Sequence, residues 1–134
     1  MKVTLDLYLD DMKPNYEEVV IDERDTWNLD YTLALIIHPA LVALKERKHG
    51  APWVDNADVP EELHCVKETE WESASQPNWF KRWDYVLDEM LFAFDFNSRR
   101  DTSGGGYAET EPEVNARITN GLRLFGKYYH CLWS

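Results

Sequence analysis

Trp27-Asn-Leu-Asp-Tyr-Thr-Leu-Ala-Leu-Ile-Ile-His-Pro-Ala-Leu-Val-Ala-Leu-Lys-Glu-Arg-Lys48 is the stretch whose reading decides the fold. From Leu33 to Leu44 only His38 and Pro39 interrupt an apolar run. A helix with one wet side carries an apolar stripe, whereas one that is apolar nearly all round is read as buried. The run falls short of the ~20 apolar residues that a bilayer span needs. Asp25 or Thr26 is placed to cap its start. Lys45, Arg47, Lys48 and His49 suit its negative end, and Gly50 is placed to stop it. Pro39 removes a backbone donor and crowds the carbonyl of Leu35, which predicts a kink or two abutting helices. The sequence thus predicts a buried, kinked helix over 27–49 with the other segments packed around it.

Working outward, residues 1–22 alternate Val3, Leu5, Leu7 and Leu9 with Thr4, Asp6, Tyr8 and Asp10, the period of a half-buried strand. Val19-Val20-Ile21 is a second short β-type run. Together they predict a small N-terminal ribbon, which needs the helices or another copy to be stable. Residues 50–77 have no clean period, three prolines and many acids, and read as a long acidic connection. A second helix is predicted over 78–97, capped by Asn78. It puts Trp79, Trp83, Val86, Leu87, Met90 and Phe94 on one face and Asp84, Asp88 and Asp95 opposite. A second aromatic line, Tyr85, Phe92 and Phe96, predicts that this helix is sandwiched or meets a second subunit. Residues 98–111, with Gly104-Gly105-Gly106, read as a flexible loop. A terminal helix follows over 112–134, with Pro112 in its first turn. Its apolar face holds Val114, Ile118, Gly121, Phe125, Tyr128, Tyr129 and Leu132, and Gly121 there lets another helix approach closely. The fold class is α+β, predominantly α, in one domain: three principal helices and a small β ribbon.

The 134 residues carry a formal charge of −11, six Trp and seven Tyr. Such a charge disfavours direct nucleic-acid or anionic-membrane binding. It leaves a basic protein partner, a DNA-mimic role or a local basic pocket. Cys65 and Cys131 have no metal-site spacing and read as free thiols. With no apolar run of signal-peptide length at the start, the expectation is a cytoplasmic protein.

Four groupings bear on chemistry. Arg123, Lys127 and His130 line up on one face of the terminal helix, with Arg99, Arg100 and Arg117 near in sequence and Trp83, Tyr107, Tyr128 and Trp133 as ring faces. Cations beside aromatic planes suit a nucleotide, and a glycine run before a helix offers backbone donors to an anion. The plain alternative is a solvated helix face. Asp84 and Asp88, with Glu89, resemble half of the Mg²⁺-binding acid set of helical nucleotide pyrophosphohydrolases. Asp30 and Glu46 make an incomplete second half. His38, His49, His64 and His130 have no metal or nucleophile geometry with the cysteines. Acidic charge with Trp53, Trp71 and Trp79 fits a protein-binding surface with aromatic anchors.

Residues 26–34 (TWNLDYTLA), 48–55 (KHGAPWVD), 80–94 (FKRWDYVLDEMLFAF) and 117–133 (RITNGLRLFGKYYHCLW), in this order and spacing, resemble a group of small accessory proteins encoded by tailed bacteriophages. The resemblance implies a non-virion protein made in the host cytoplasm and brings no activity or site residues. On this reading the chain is a non-catalytic anti-defence binder. It sequesters a small anionic, nucleotide-type signal through Arg99, Arg100, Arg117, Arg123, Lys127, Tyr128 and His130. The alternative is an acidic inhibitor, or DNA mimic, of a host protein, and a Mg²⁺-dependent pyrophosphohydrolase is more remote. No cofactor, metal or membrane is expected, and a homodimer or higher homo-oligomer is.

Overall fold

A computed structural model describes residues 1–3, 19–65, 78–99 (side chains as far as Asp95) and 112–133. Three α-helices lie among them: α1 (Leu29–Arg47), α2 (Trp79–Arg99) and α3 (Pro112–Lys127). Short 3-10 turns cover Glu23–Thr26, Asn56–Asp58, Glu61–Leu63 and Tyr129–Cys131.

The centre belongs to α2. It packs against both α1 and α3, and Trp83, Val86, Leu87, Met90 and Ala93 are fully buried in it. This corrects the reading of 27–49 as the buried core helix. Leu29 and Leu33 are each 44% exposed and Leu35 is 45% exposed. The reason is side-chain bulk and geometry. A small domain has one central position, and α2 presents large residues to both neighbours. The core line of α1 is Ala34, Ile37, Leu41 and Leu44, which meets α2 on one side only. Pro39 does not divide α1, which is assigned as helix from Leu29 to Arg47.

Two ion pairs zip α1 to α2 in antiparallel register, Lys48–Asp84 at 2.6 Å and Lys45–Asp88 at 2.6 Å, and further along His38 Nε2 lies 3.7 Å from Asp95. The acidic face of α2 is therefore the polar rim of a helix–helix seam. Across α2 and α3, Trp83 meets Tyr128 edge-on at 5.9 Å and Phe94 meets Phe125 at 4.9 Å between centroids. The two backbones touch at Gly121. A Cβ there would lie 2.3 Å from the Glu89 carbonyl oxygen and 2.8 Å from Ala93 Cβ. The buried line of α3 is Ile118, Gly121 and Leu124, continued by Tyr128; of the other positions expected on the apolar face, Val114, Phe125 and Leu132 are half-buried and Tyr129 is exposed.

Before α1, Asp22 and Asp25 form a capping box: the Arg24 amide donates to Asp22 at 2.9 Å, and the Asp22 amide donates to Asp25 at 2.8 Å. The cap expected on α1 itself at Asp25 or Thr26 thus closes the preceding turn. Thr32 Oγ1 donates to the Asp25 carbonyl at 2.9 Å and ties that turn to the helix. Of the ribbon predicted over 1–22, residues 4–18 lie outside the described residues. Lys2 and Val20 are placed, as one antiparallel bridge with reciprocal bonds of 3.0 and 2.9 Å.

Gly121→Ala is expected to destabilise the fold by about 1–3 kcal/mol, since backbone rather than a flexible side chain must give way. Gly126→Ala meets nothing within 4 Å. It is expected to be neutral or to stabilise by up to about 1 kcal/mol, because alanine is the better helix former. Urea denaturation of the two variants beside the parent checks both.

Candidate functional site

The basic face of α3 meets residues 50–65, which cross the ends of α2 and α3 and are pinned at three places. Trp79 Nε1 donates to the Ala51 carbonyl at 3.0 Å. Arg82, 1% exposed, donates to Asn56 Oδ1 at 2.7 Å, to the Leu63 carbonyl at 2.6 Å and to the Val54 carbonyl. Its guanidinium also lies 4.9 Å from the ring centroid of Trp53. Asn56 closes the base of the loop: its side-chain amide donates to the Cys65 carbonyl at 2.8 Å, and its oxygen accepts from the Cys65 amide at 3.0 Å. A buried cation is tolerable here because several of its donors find oxygens.

The third pin is Asp58. Its side chain is 2% exposed, and it sits at the end of the turn Asn56–Asp58. Oδ1 accepts from Arg123 Nη2 at 2.8 Å. Oδ2 accepts from Lys127 Nζ at 2.6 Å and from the Tyr128 hydroxyl at 2.6 Å. The Tyr128 oxygen in turn accepts the Asp55 amide at 3.0 Å, and Lys127 reaches the Asp55 carboxylate at 2.8 Å. Burial alone would push the Asp58 carboxyl up. The bonds from Lys127, Tyr128 and Arg123 outweigh it and hold the group at about 2. Burial, with the Asp58 carboxylate as its acceptor, pushes the Tyr128 hydroxyl up to about 12. Lys127 is raised by Asp55 and Asp58, and Asp55 is lowered chiefly by Lys127. Two carboxylates and two cations leave this cluster without net charge.

Of the residues predicted as a ligand site, Arg123, Lys127 and Tyr128 do converge, and what they converge on is Asp58. Arg117 lies apart: Nε is 3.1 Å from Glu89, and the guanidinium is 3.8 Å from the centroid of Phe92. His130 is exposed, edge-on to Tyr129 with ring centroids 5.5 Å apart. Arg99 is in the last turn of α2, and its side chain, like Arg100, Tyr107 and the glycine run, lies outside the described residues. An open cleft of about 390 Å³ lies at the cluster, lined by Ala57, Asp58, Val59, Pro60, Tyr85, Asn120 and Arg123, so the Asp58 carboxylate is part of its wall. Arg123 is braced there by Asn120 Oδ1 at 2.8 Å.

The acids considered for Mg²⁺ are committed to α1: Asp84 to Lys48 and Asp88 to Lys45. Among the described residues no group of three or more His, Cys, Asp or Glu is placed to hold a metal ion. Cys65 and Cys131 are free thiols, as expected. His64 Nε2 lies 3.1 Å from the Val59 carbonyl, inside the same loop.

Sequence reasoning missed Asp58, Asn56 and Arg82. Asp58 is one acid among many in the connection and carries no local mark. Arg82 did carry one: with Val86, Glu89 and Ala93 it falls on a helical line at spacings of four, three and four, so a charge stood in a core row. No helix among the described residues is long and apolar enough to cross a membrane. In comparisons with known proteins, no family model, no curated protein and no solved structure matches the chain.

Asp58→Asn leaves Lys127 with Asp55 alone and Arg123, itself about half exposed, without its carboxylate, so it is expected to cost about 1–3 kcal/mol in chemical denaturation. The pH dependence has a definite sign. The folded-state carboxyl is depressed from 3.8 to about 2. The stability it contributes is complete above its unfolded value and disappears as pH falls through the folded one. The amount lost between pH 4 and pH 2 is about 2 kcal/mol, and this component is expected to be missing in Asp58→Asn.

Proposed function

We propose that the chain is a non-catalytic binding protein that occupies a protein partner, with the outer side of α3 and the turn after it as the contact surface. One observation carries this reading. Leu122 on α3, Tyr129 in the turn after it and Trp133 just beyond that turn are 40%, 57% and 49% exposed. Large aromatic side chains with polar tips, held on a rigid element, are the usual anchors of protein interfaces. Gly126, on the same end of α3, has nothing within 4 Å of where a Cβ would lie. Trp133 rests on Gly50, within 3.1 Å of where a Cβ would lie, which orients the ring without covering it. The chain's charge of −11 favours a basic partner surface through its effect on encounter. The resemblance to phage accessory proteins supplies a setting in which blocking a host protein is useful.

Sequestration of a small anionic nucleotide, in a phage anti-defence role, stands second. The open cleft at Arg123 is what favours it, since its volume of about 390 Å³, with Tyr85, Asn120 and Asp58 on its walls, lies within the range of small-molecule sites. It stands second because an anion entering there competes with Asp58 and Asp55 for the same cations.

Thermal unfolding against linear and cyclic nucleotides, with and without Mg²⁺, separates the readings. A ligand at a hundred times its dissociation constant stabilises by about 2.7 kcal/mol. No shift is expected. A shift lost in Arg123→Ala, with the nucleotide recovered intact, would favour sequestration, and cleaved nucleotide would favour hydrolysis. In parallel, a photoreactive group at Leu122 is expected to cross-link a basic protein in host lysate. Excess parent chain competes with that capture, and Tyr129→Ala/Trp133→Ala abolishes it. Capture indifferent to those substitutions would contradict the proposal.

A further inference from the structure

The open cleft at Arg123 holds hydrogen-bonding groups that the Asp58 cluster leaves unused. Arg123 Nε and Nη2 both donate to Asn120 Oδ1, at 3.1 and 2.8 Å, and Nη2 also donates to Asp58 Oδ1 at 2.8 Å. The guanidinium is thus held by one edge. Its Nη1 makes no hydrogen bond to a described residue, and the side chain is 48% exposed. Asn120 uses its side-chain oxygen on Arg123, and its Nδ2 has no partner among the described residues. Tyr85 lines the same cleft, half-buried, and its hydroxyl likewise has none. Burial, and then the Glu89 carboxylate, push that hydroxyl up, so it stays protonated. All three unused groups can donate. Acceptors in the wall are occupied instead. Asp58 takes its bonds from Arg123, Lys127 and Tyr128, the Val59 carbonyl lies 3.1 Å from His64 Nε2, and the Pro60 carbonyl accepts the Leu63 amide at 2.9 Å.

We infer that this cleft takes an uncharged, planar ring bearing carbonyl oxygens, the chemistry of a pyrimidine nucleoside, rather than the phosphate of a nucleotide. Donors left without partners select a ligand that brings acceptors, and a ring carbonyl is one. Charge then decides between an anionic acceptor and a neutral one. A phosphate draws Arg123 and Lys127 away from Asp58 and Asp55, and the chain's charge of −11 opposes its approach. A neutral carbonyl needs only Arg123 Nη1, Asn120 Nδ2 and the Tyr85 hydroxyl, so every bond of the Asp58 cluster stays in place. The volume of about 390 Å³ has room for a ring compound rather than for a lone carbonyl group. Planarity follows from the walls. A guanidinium held by its edge keeps its faces for stacking, and Val59, Pro60 and the Tyr85 ring add apolar surface beside it. The inference rests on the small-molecule reading of the cleft and differs from it in the charge of the ligand. It is independent of the protein-binding surface at Tyr129 and Trp133.

The test is an NMR titration of the isotope-labelled full chain with uridine, followed at the Asn120 side-chain amide, the Arg123 Nε–H and the backbone amides of Ala57, Asp58 and Val59. Saturable shifts at these groups, with a Kd in the millimolar range or below, are expected. Free ribose is expected to cause none of them, and uridine monophosphate is expected to bind more weakly than uridine. Tyr85→Phe removes only a hydroxyl that has no partner, so its circular dichroism should match the parent while its affinity for uridine falls by about 3- to 10-fold. Arg123→Lys keeps a cation for Asp58 but lacks Nη1, and is expected to lose at least as much. Tighter binding of the monophosphate than of uridine would overturn the inference and favour the anionic reading of the cleft. No saturable shift with either compound up to the solubility of uridine would overturn both. Equal affinity for uridine in the parent and in Tyr85→Phe would overturn the assigned site.

Discussion

A buried carboxylate that must be satisfied governs how this chain closes. Asp58 is taken out of water by the turn that carries it, and its desolvation is offset by three donors from one stretch of chain, the end of α3. Those donors lie at 123, 127 and 128, little more than one turn apart, so the end of α3 is held in a fixed rotation relative to residues 55–58. The hydroxyl of Tyr128 accepts the Asp55 amide while its ring packs on Trp83, which links the polar cluster to the core. Arg82 does the same from the α2 side with neutral oxygens. The acidic connection is thereby made part of the domain's wall.

The consequence for function is electrostatic. A chain this acidic offers an anion a welcome only where cations are locally in surplus. At the Asp58 cluster they are matched by carboxylates, and Arg117 is matched by Glu89. Among the described residues, exposed apolar side chains include Tyr129 and Trp133 after the end of α3 and Leu29, Leu33 and Leu35 on α1.

The helices were legible in sequence because periodicity is a local property. The α2 core face was read residue by residue, and Gly121 was rightly singled out as a place of close approach. Rank within the fold was less legible. An apolar run on all sides marks α1 for burial without saying by what, and among the described residues its cover comes mainly from α2. The candidate site shows the sharper limit. The alignment of Arg123 and Lys127 was visible from their spacing, whereas their counter-charge sits 65 and 69 residues away. Ion pairs of that separation leave no periodic trace, so a basic face looked available when it was committed. Arg82 in the core row was the one local sign that a polar clamp existed.

The most direct test of this account is the titration of the Asp58 side-chain carboxyl carbon, followed by NMR in the folded protein. A buried carboxylate held by Arg123, Lys127 and Tyr128 titrates near 2. A midpoint at the ordinary carboxylate value of 3.8 would mean that the cluster is open to water. The cations of α3 would then be available to a ligand, and the clamp would not be what holds the connection in place.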